Sequence, residues 1–355
     1  MDKLKEKSSS LVQERDKLTA ILSSMTEGVL AVDKEGKILL VNQAASNTFG
    51  LRNKVMGRPI WEVLQNEQIN PLVKETLRSG EPQISELTNL SPSEKVFRLH
   101  ITPIRDSQGE LGVAIILHDI TDLKKLEKMR VEFVANVSHE LKTPLASIKG
   151  FVETLQEGAL NEPENAMRFL SIIERHTNRL TDLINDLLSL SKIESGETPL
   201  ELKRIKLLPF INKTVATFDD RIRKKRHSLT VNVPDGPLEI AADKALLDQA
   251  LSNLLDNAIK YTPPGGKITV SATDTAVHIE LAVSDNGIGI PEQDLPRIFE
   301  RFYRVDKARS REMGGTGLGL AIVKHIVLAH GGTVRASSKL NSGTTFTLTF
   351  PKAER

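Results

Sequence analysis

Apolar positions along this chain change their period several times, and each change marks a boundary. Over the first 25 residues Leu4, Leu11, Leu18 and Met25 recur every seven positions among Lys, Glu and Arg. That spacing predicts a helix with a thin apolar seam, read either as a short parallel coiled coil or as a single helix. From about residue 24 the texture becomes β-rich: runs at 29–33 and 38–42 flank Lys34-Glu35-Gly36-Lys37 and predict a hairpin. After a helical middle, runs at 97–104 and 112–119 predict two further strands, joined by a turn at Asp106-Ser107-Gln108-Gly109-Glu110. From Leu123 to about Ser195 the pattern is helical again. Val134, Leu141, Ile148 and Leu155 form one heptad row, with Val137, Leu145 and Val152 beside it; a break at 157–163 follows, and Ile173, Leu180 and Leu187 form a second row alongside Phe169, Leu183 and Leu190. Two amphipathic helices and one short loop predict an antiparallel hairpin. One hairpin cannot bury both stripes, so the stripe width predicts pairing with a second copy into a four-helix bundle.

Beyond residue 197 helical runs (about 207–225, 243–261 and 317–330) alternate with strands near 228–232, 237–241, 267–272, 277–284, 332–337 and 344–350. Gly331-Gly332 and Asn341-Ser342-Gly343 sit between short β runs, so the last four strands are expected to be antiparallel. The expected product is an open mixed sheet with helices on one face. It is not a Rossmann fold, because no Gly-x-Gly-x-x-Gly follows a first strand.

Composition changes this picture little. A length of 355 residues suggests two or three domains, and 26% charged residues is ordinary for a globular chain. A net charge of +2 makes no case for nucleic acid or a polybasic membrane anchor. With no cysteine there is no disulfide framework and no thiolate-ligated zinc, which suits a reducing cytosol. No apolar run is long enough to span a bilayer, and Met1-Asp2-Lys3-Leu4-Lys5-Glu6-Lys7 does not read as a signal peptide. The expectation is a soluble, cytoplasmic protein or the cytoplasmic part of a longer, membrane-anchored one.

Candidate chemistry begins with one of the eight histidines. His139 lies in Ser138-His139-Glu140-Leu141-Lys142-Thr143-Pro144-Leu145, on the first predicted bundle helix. Glu140 beside it can accept a ring N–H and hold the tautomer whose other nitrogen is free to attack. Thr143 lies one turn later on the same face, and Pro144 disturbs the backbone hydrogen bonding there. His176, by contrast, falls on the Ile173/Leu180 stripe and reads as a packing residue. Three further motifs follow in order. In Asn253-Leu254-Leu255-Asp256-Asn257-Ala258-Ile259-Lys260 the two asparagines are one turn apart, with Lys260 and Tyr261 on a similar face. Carboxamide oxygens are hard ligands suited to Mg²⁺, and Lys260 supplies a point charge for phosphate; taken alone the pair would be only a polar helix face. Asp285-Asn286-Gly287-Ile288-Gly289 ends an apolar strand. There a carboxylate can accept an adenine amino proton while Gly287 and Gly289 let backbone approach the base, although a lone Asp-Asn-Gly would be a turn. Finally Gly315-Thr316-Gly317-Leu318-Gly319 opens a helix whose free amides can bind phosphate.

A histidine upstream of these three motifs, in this order, resembles the sensor histidine kinases of two-component signalling, over nearly the whole chain. The order of strands at 24–122, with Asp119-Ile120-Thr121 at its end, resembles a PAS domain, which either senses a signal or only spaces and dimerises the kinase. The resemblance implies a multidomain α+β protein. Its parts are a coiled-coil helix at 1–23, a PAS α/β domain at 24–122, a dimerisation and phosphoacceptor hairpin at 123–196, and a GHKL (Bergerat-type) α/β sandwich binding ATP at 197–355. It further implies Mg²⁺ on Asn257 with Asn253 adjacent. His139, Glu140 and Thr143 match the His-Glu-x-x-Thr pattern, whose hydroxyl is associated with dephosphorylating the partner. Phe299-Glu300-Arg301-Phe302-Tyr303-Arg304, with the charged run 307–312, resembles the family's Phe-containing box and ATP lid; Phe302 and Tyr303 would pack the lid and Arg304 reach terminal phosphates. A lid so polar is expected to be flexible without nucleotide. The implied partners are a second copy and a response regulator bearing a receiver aspartate. Residues 133–160 are most similar to the phosphate-regulon sensor kinases of Gram-positive bacteria. Two other readings stay open: a GHKL ATPase of another class, against which Asn253 stands where a carboxylate would activate water, and an inactive scaffold, against which the intact motifs stand.

Overall fold

The computed structural model describes every residue except 1, 52–54, 65, 89–94, 107–108, 197–198, 235, 237, 307–314 and 353–355, and leaves undescribed the side chains of 2–9, 11, 15, 106, 110 and 111. The turn residues Ser107 and Gln108 and the charged run from Lys307 onward, expected to form a lid, therefore lie outside the described residues. The chain divides into two compact units, 1–132 and 133–355. Among the described residues no helix is long and apolar enough to cross a membrane.

The first unit opens with α1 (Asp2–Ser24), followed by β1 (Gly28–Asp33) and β2 (Ile38–Val41), an antiparallel hairpin. Asp33 closes its turn by accepting the Glu35 and Lys37 amide protons at 2.9 and 2.8 Å. Gly36 sits there at φ 79°, and a Cβ on it would lie 2.2 Å from the Trp61 ring. The helical middle is α2 (Gln43–Phe49), α3 (Ile60–Val63) and α4 (Ile69–Ser79), with Asn42 capping α2 through the Ala45 amide. Strands β3 (Gln83–Thr88), β4 (Val96–Asp106) and β5 (Gly109–Asp119) complete an antiparallel sheet in the order β2-β1-β5-β4-β3. Leu30, Val32, Ile60, Ile69, Val73, Leu99, Ile101 and Ile115 fill the core between sheet and helices. Sequence pattern missed β3 for a physical reason: it is an edge strand that buries only Leu87, so it needs no apolar alternation. At the other end Asp119 accepts the Thr121 amide and hydroxyl protons, which stops β5 and starts the next helix.

That helix, α5, spans Thr121–Gln156, and α6 spans Pro163–Ser195. Pro163 starts α6 with a ring already at helical φ, and Gly196 at φ 61° ends it. Helix α5 continues through Pro144, which is buried. Phe151 and Phe169 meet across the hairpin with ring centroids 5.3 Å apart. The C-terminal part then contributes β6 (Leu202–Lys206), α7 (Leu207–Ala216), α8 (Asp219–Lys224), β7 (Ser228–Asn232), β8 (Glu239–Asp243), α9 (Lys244–Tyr261), β9 (Lys267–Asp274), β10 (His278–Asp285), α10 (Gly319–Ala329), β11 (Thr333–Lys339) and β12 (Gly343–Pro351). Its main sheet runs β11-β12-β10-β9-β7, antiparallel apart from β7 beside β9. Along β10, Ile279, Leu281 and Val283 alternate inward and meet Leu254, Leu255, Ile322 and Ile326 of α9 and α10 in one core. The expected single helix over 207–225 is two, α7 and α8. Strand β6 was not expected: it pairs with β8 in a separate two-stranded sheet and buries only Ile205.

Candidate active site

The end of β10, one face of α9 and the glycine turn before α10 open onto one cavity of about 480 Å³. Asp243 starts α9 by accepting the Ala245 and Leu246 amide protons. Leu247, Leu251, Leu254 and Leu255 then bury one face of α9, which turns Asn253, Asn257, Lys260 and Tyr261 to the cavity. Asn253 donates to the Gly319 carbonyl at 3.3 Å and so ties α9 to the start of α10. Asp256 holds Lys260 and Arg221 with its two oxygens, at 2.7 and 2.6 Å.

Asp285 lies at the strand end, opposite Ile268 and Thr344, and accepts the Gly287 amide proton at 2.8 Å. Burial raises its pKa above the ordinary carboxylate value, against the hydrogen bonds from the Gly287 and Thr344 backbone. Gly289 lines the cavity at φ 68° and approaches the Lys339 carbonyl so closely that a Cβ would lie 2.1 Å from it. Gly287 shapes the site from behind: it is packed against the Tyr261 carbonyl and does not line the cavity.

In the glycine turn Gly315, Thr316, Gly317 and Gly319 line the cavity, whereas the Leu318 side chain is buried in the core and its amide donates to the Thr316 hydroxyl at 3.3 Å. Phe302, at φ 62°, donates its amide proton to the Gly317 carbonyl at 2.8 Å, and Gly317, at φ 77°, lies so close that a Cβ on it would be 3.0 Å from the Phe302 Cα. Tyr303 donates to Asp294 at 2.6 Å and stacks under Arg297. Arg304 has only 6% of its side chain exposed; it donates to the Gly315 carbonyl at 2.6 Å and to Glu140 at 3.2 Å.

His139 is exposed on α5. Glu140 is expected to engage that ring; its carboxylate receives Arg179 at 2.8 Å together with Arg304. The Thr143 hydroxyl donates back to the His139 carbonyl at 3.1 Å. His176 is half-buried, and desolvation lowers its pKa, as suits a packing residue.

Sequence reading missed one whole wall. Asp182, Asn185 and Asp186 of α6 line the cavity, as do Ile290, Ile298, Thr344 and Phe346. Asp186 accepts the Thr316 hydroxyl proton at 2.7 Å, and burial raises its pKa. Leu183 and Leu190 join the core of the C-terminal part, and Glu194 receives Arg301 and, at 3.1 Å, His325. Only Asp182 and Asp186, four apart on the polar side of a helix, gave any sequence signal, and a solvated face reads the same way. Thr344 and Phe346 become visible through the register of β12 on β10.

Residues 22–125 match the family described as PAS fold, 129–196 the His Kinase A (phospho-acceptor) domain, and 242–354 the histidine kinase-, DNA gyrase B- and HSP90-like ATPases. Sensor histidine kinase WalK of Bacillus subtilis strain 168 is 38% identical over 351 residues, covering 96% of this chain and 56% of that protein, so the chain spans about half of this relative's length. Sensor protein kinase WalK of Staphylococcus aureus is 35% identical over 98% of this chain and 84% of its own sequence. Among solved structures, histidine kinase ThkA in complex with response regulator protein TrrA is similar at TM-score 0.53 and 27% identity, covering 94% of this chain and 98% of that one. The expected likeness to phosphate-regulon kinases finds no support in these relatives; WalK fits better. With its PAS, phosphoacceptor and ATPase-like regions in this order, the chain belongs to the sensor histidine kinases.

Proposed function

We propose that this chain phosphorylates His139 from Mg²⁺-ATP and passes the phosphoryl group to an aspartate of a response regulator. The observation that carries this reading is the contact between Glu140, the residue next to an exposed histidine, and Arg304, a wall of the cavity. Adenine is read by Asp285, with Gly289 allowing close backbone approach. The turn 315–319, Lys260 and Arg304 receive the phosphates. Among the described residues no group of three or more His, Cys, Asp or Glu could hold a metal on its own. The oxygen donors around Asn253 and Asn257 nevertheless suit Mg²⁺, which takes part of its shell from nucleotide phosphate. Asn257 would hold it, and its charge would offset that of the phosphates.

A ring nitrogen of His139 forms the new N–P bond as the bond from the γ-phosphorus to the bridging oxygen breaks, and ADP leaves. Glu140, now shared by Arg179 and Arg304, orients the imidazole and takes its proton once Arg304 turns to phosphate. Transfer to the regulator regenerates the histidine, and Thr143 assists dephosphorylation of that partner. The ThkA complex is precedent for a regulator as partner. We further assign 1–23 to a coiled-coil helix, 24–122 to the PAS region, 123–196 to the dimerising phosphoacceptor hairpin and 197–355 to the ATP-binding region. Incubation with γ-labelled ATP tests the reading: label on the wild-type chain should be acid-labile and base-stable and vanish in His139→Ala, which should still bind ATP. Substantial labelling of that variant would sink it.

A further inference from the structure

If the turn 315–319 and Lys260 receive phosphate, α6 has already set an anion among them. Asp186 takes the Thr316 hydroxyl proton at 2.7 Å, and Asp182 and Asn185 line the same cavity. Burial and the neighbouring Asp182 and Asp256 oppose charge on Asp186, while Thr316 and Lys260 favour it. A carboxylate held by a hydroxyl beside a lysine makes the same kind of contacts as a phosphate oxygen. Three further contacts hold the helix there: Leu183 and Leu190 in the core, Ser189 donating to Gln249 at 2.9 Å, and Glu194 against Arg301 and His325.

We propose that Asp186 is an internal occupant of the phosphate end of the cavity, so that packing of α6 on the cavity and loading of a nucleoside triphosphate oppose one another. This rests on the nucleotide reading above. By linkage the opposition is reciprocal: phosphate that expels the carboxylate loosens α6, and a fixed α6 weakens phosphate binding. The apolar part of the ligand is not involved, because Asp285 and Gly289 belong to the strand end and its turn and not to α6.

Calorimetric titration of the full chain with ATP and with adenosine tests this. Asp186→Asn should bind ATP roughly ten-fold more tightly than wild type, Asp186→Glu should not, and adenosine should bind wild type and Asp186→Asn equally. The chain has no cysteine, so Ser189→Cys with Gln249→Cys gives a single lock of α6 on α9. Oxidation should weaken ATP binding by roughly ten-fold and reduction restore it. Equal ATP affinity in wild type and Asp186→Asn, or an oxidised lock without effect, would overturn the proposal and leave the nucleotide reading standing. ATP binding to none of these chains would remove that reading and the proposal with it.

Discussion

The hairpin and the C-terminal α/β part differ in how much of their own apolar surface they cover. In the C-terminal part, Leu247, Leu251, Leu254, Leu255, Ile322 and Ile326 are fully buried between two helices and a sheet that share one core. The hairpin leaves Val134 57%, Leu145 60%, Ile184 47% and Leu188 56% exposed. The two sequence rows predict a single dimer seam, and the structure divides them. Leu155 is buried and Ile148, Ile173 and Leu180 partly so, Leu183 and Leu190 join the C-terminal core with Leu141 and Leu187 half-buried against it, and Val134, Leu145 and Val152 stay exposed. One region carries its stability within a single copy; the other presents a stripe that fits a second copy.

Breaking the self-sufficient side should cost most. Leu254→Ala should lose about 3 kcal/mol of stability through cavity formation, and denaturant midpoints should shift equally at low and high protein concentration. A shift that depended on concentration would mean that this core, too, is completed by a partner. On the open side Ile184→Asp should weaken dimerisation by about 2–3 kcal/mol, the scale of one buried aliphatic side chain with a charge in its place, while the C-terminal part keeps its fold. Light scattering across a dilution series should show the monomer appearing at higher concentration than for wild type. A wild-type chain already monomeric and well folded at micromolar concentration would refute the bundle.

Asp285 sharpens the contrast within the C-terminal part, where the proposed function opposes stability. Burial raises its pKa, so its charged form is the costly one in the folded chain. Its contribution to folding is full below the unfolded value and is lost as pH rises through the raised folded value. Asp285→Asn should therefore slightly raise melting temperature at neutral pH while weakening ATP binding by about ten-fold, of the order of one charged hydrogen bond. For the wild type, ATP affinity should begin to fall on acidification at a higher pH than an ordinary carboxylate allows. An affinity flat down to the ordinary carboxylate range would remove Asp285 as the adenine acceptor. The smallest effect belongs to the hairpin surface. Thr143→Ala should leave autophosphorylation within about two-fold and prolong the phosphorylated regulator's lifetime several-fold, the scale of one hydrogen bond. Equal lifetimes would reduce Thr143 to what the structure shows, a hydroxyl bonded back to its own helix.

Legibility followed locality. The helix boundaries near Asp243, Pro163 and Gly196 were readable because caps and breakers act on their own turn. The core strands were readable because Ile279, Leu281 and Val283 alternate. Strands β3 and β6 were not, since each buries a single side chain at a sheet margin.

By itself, the sequence determined the order of parts, the exposed histidine's helix and the three cavity motifs, because residue type and short-range spacing carry that information. Tertiary structure alone decided which groups share one cavity: Thr344 and Phe346 through strand register, and Asp182, Asn185 and Asp186 through packing of a distant helix. It also decided that Glu140 faces two guanidiniums and that Leu318 serves the core. These contacts join residues as much as 164 positions apart, and no local pattern encodes which surfaces will meet.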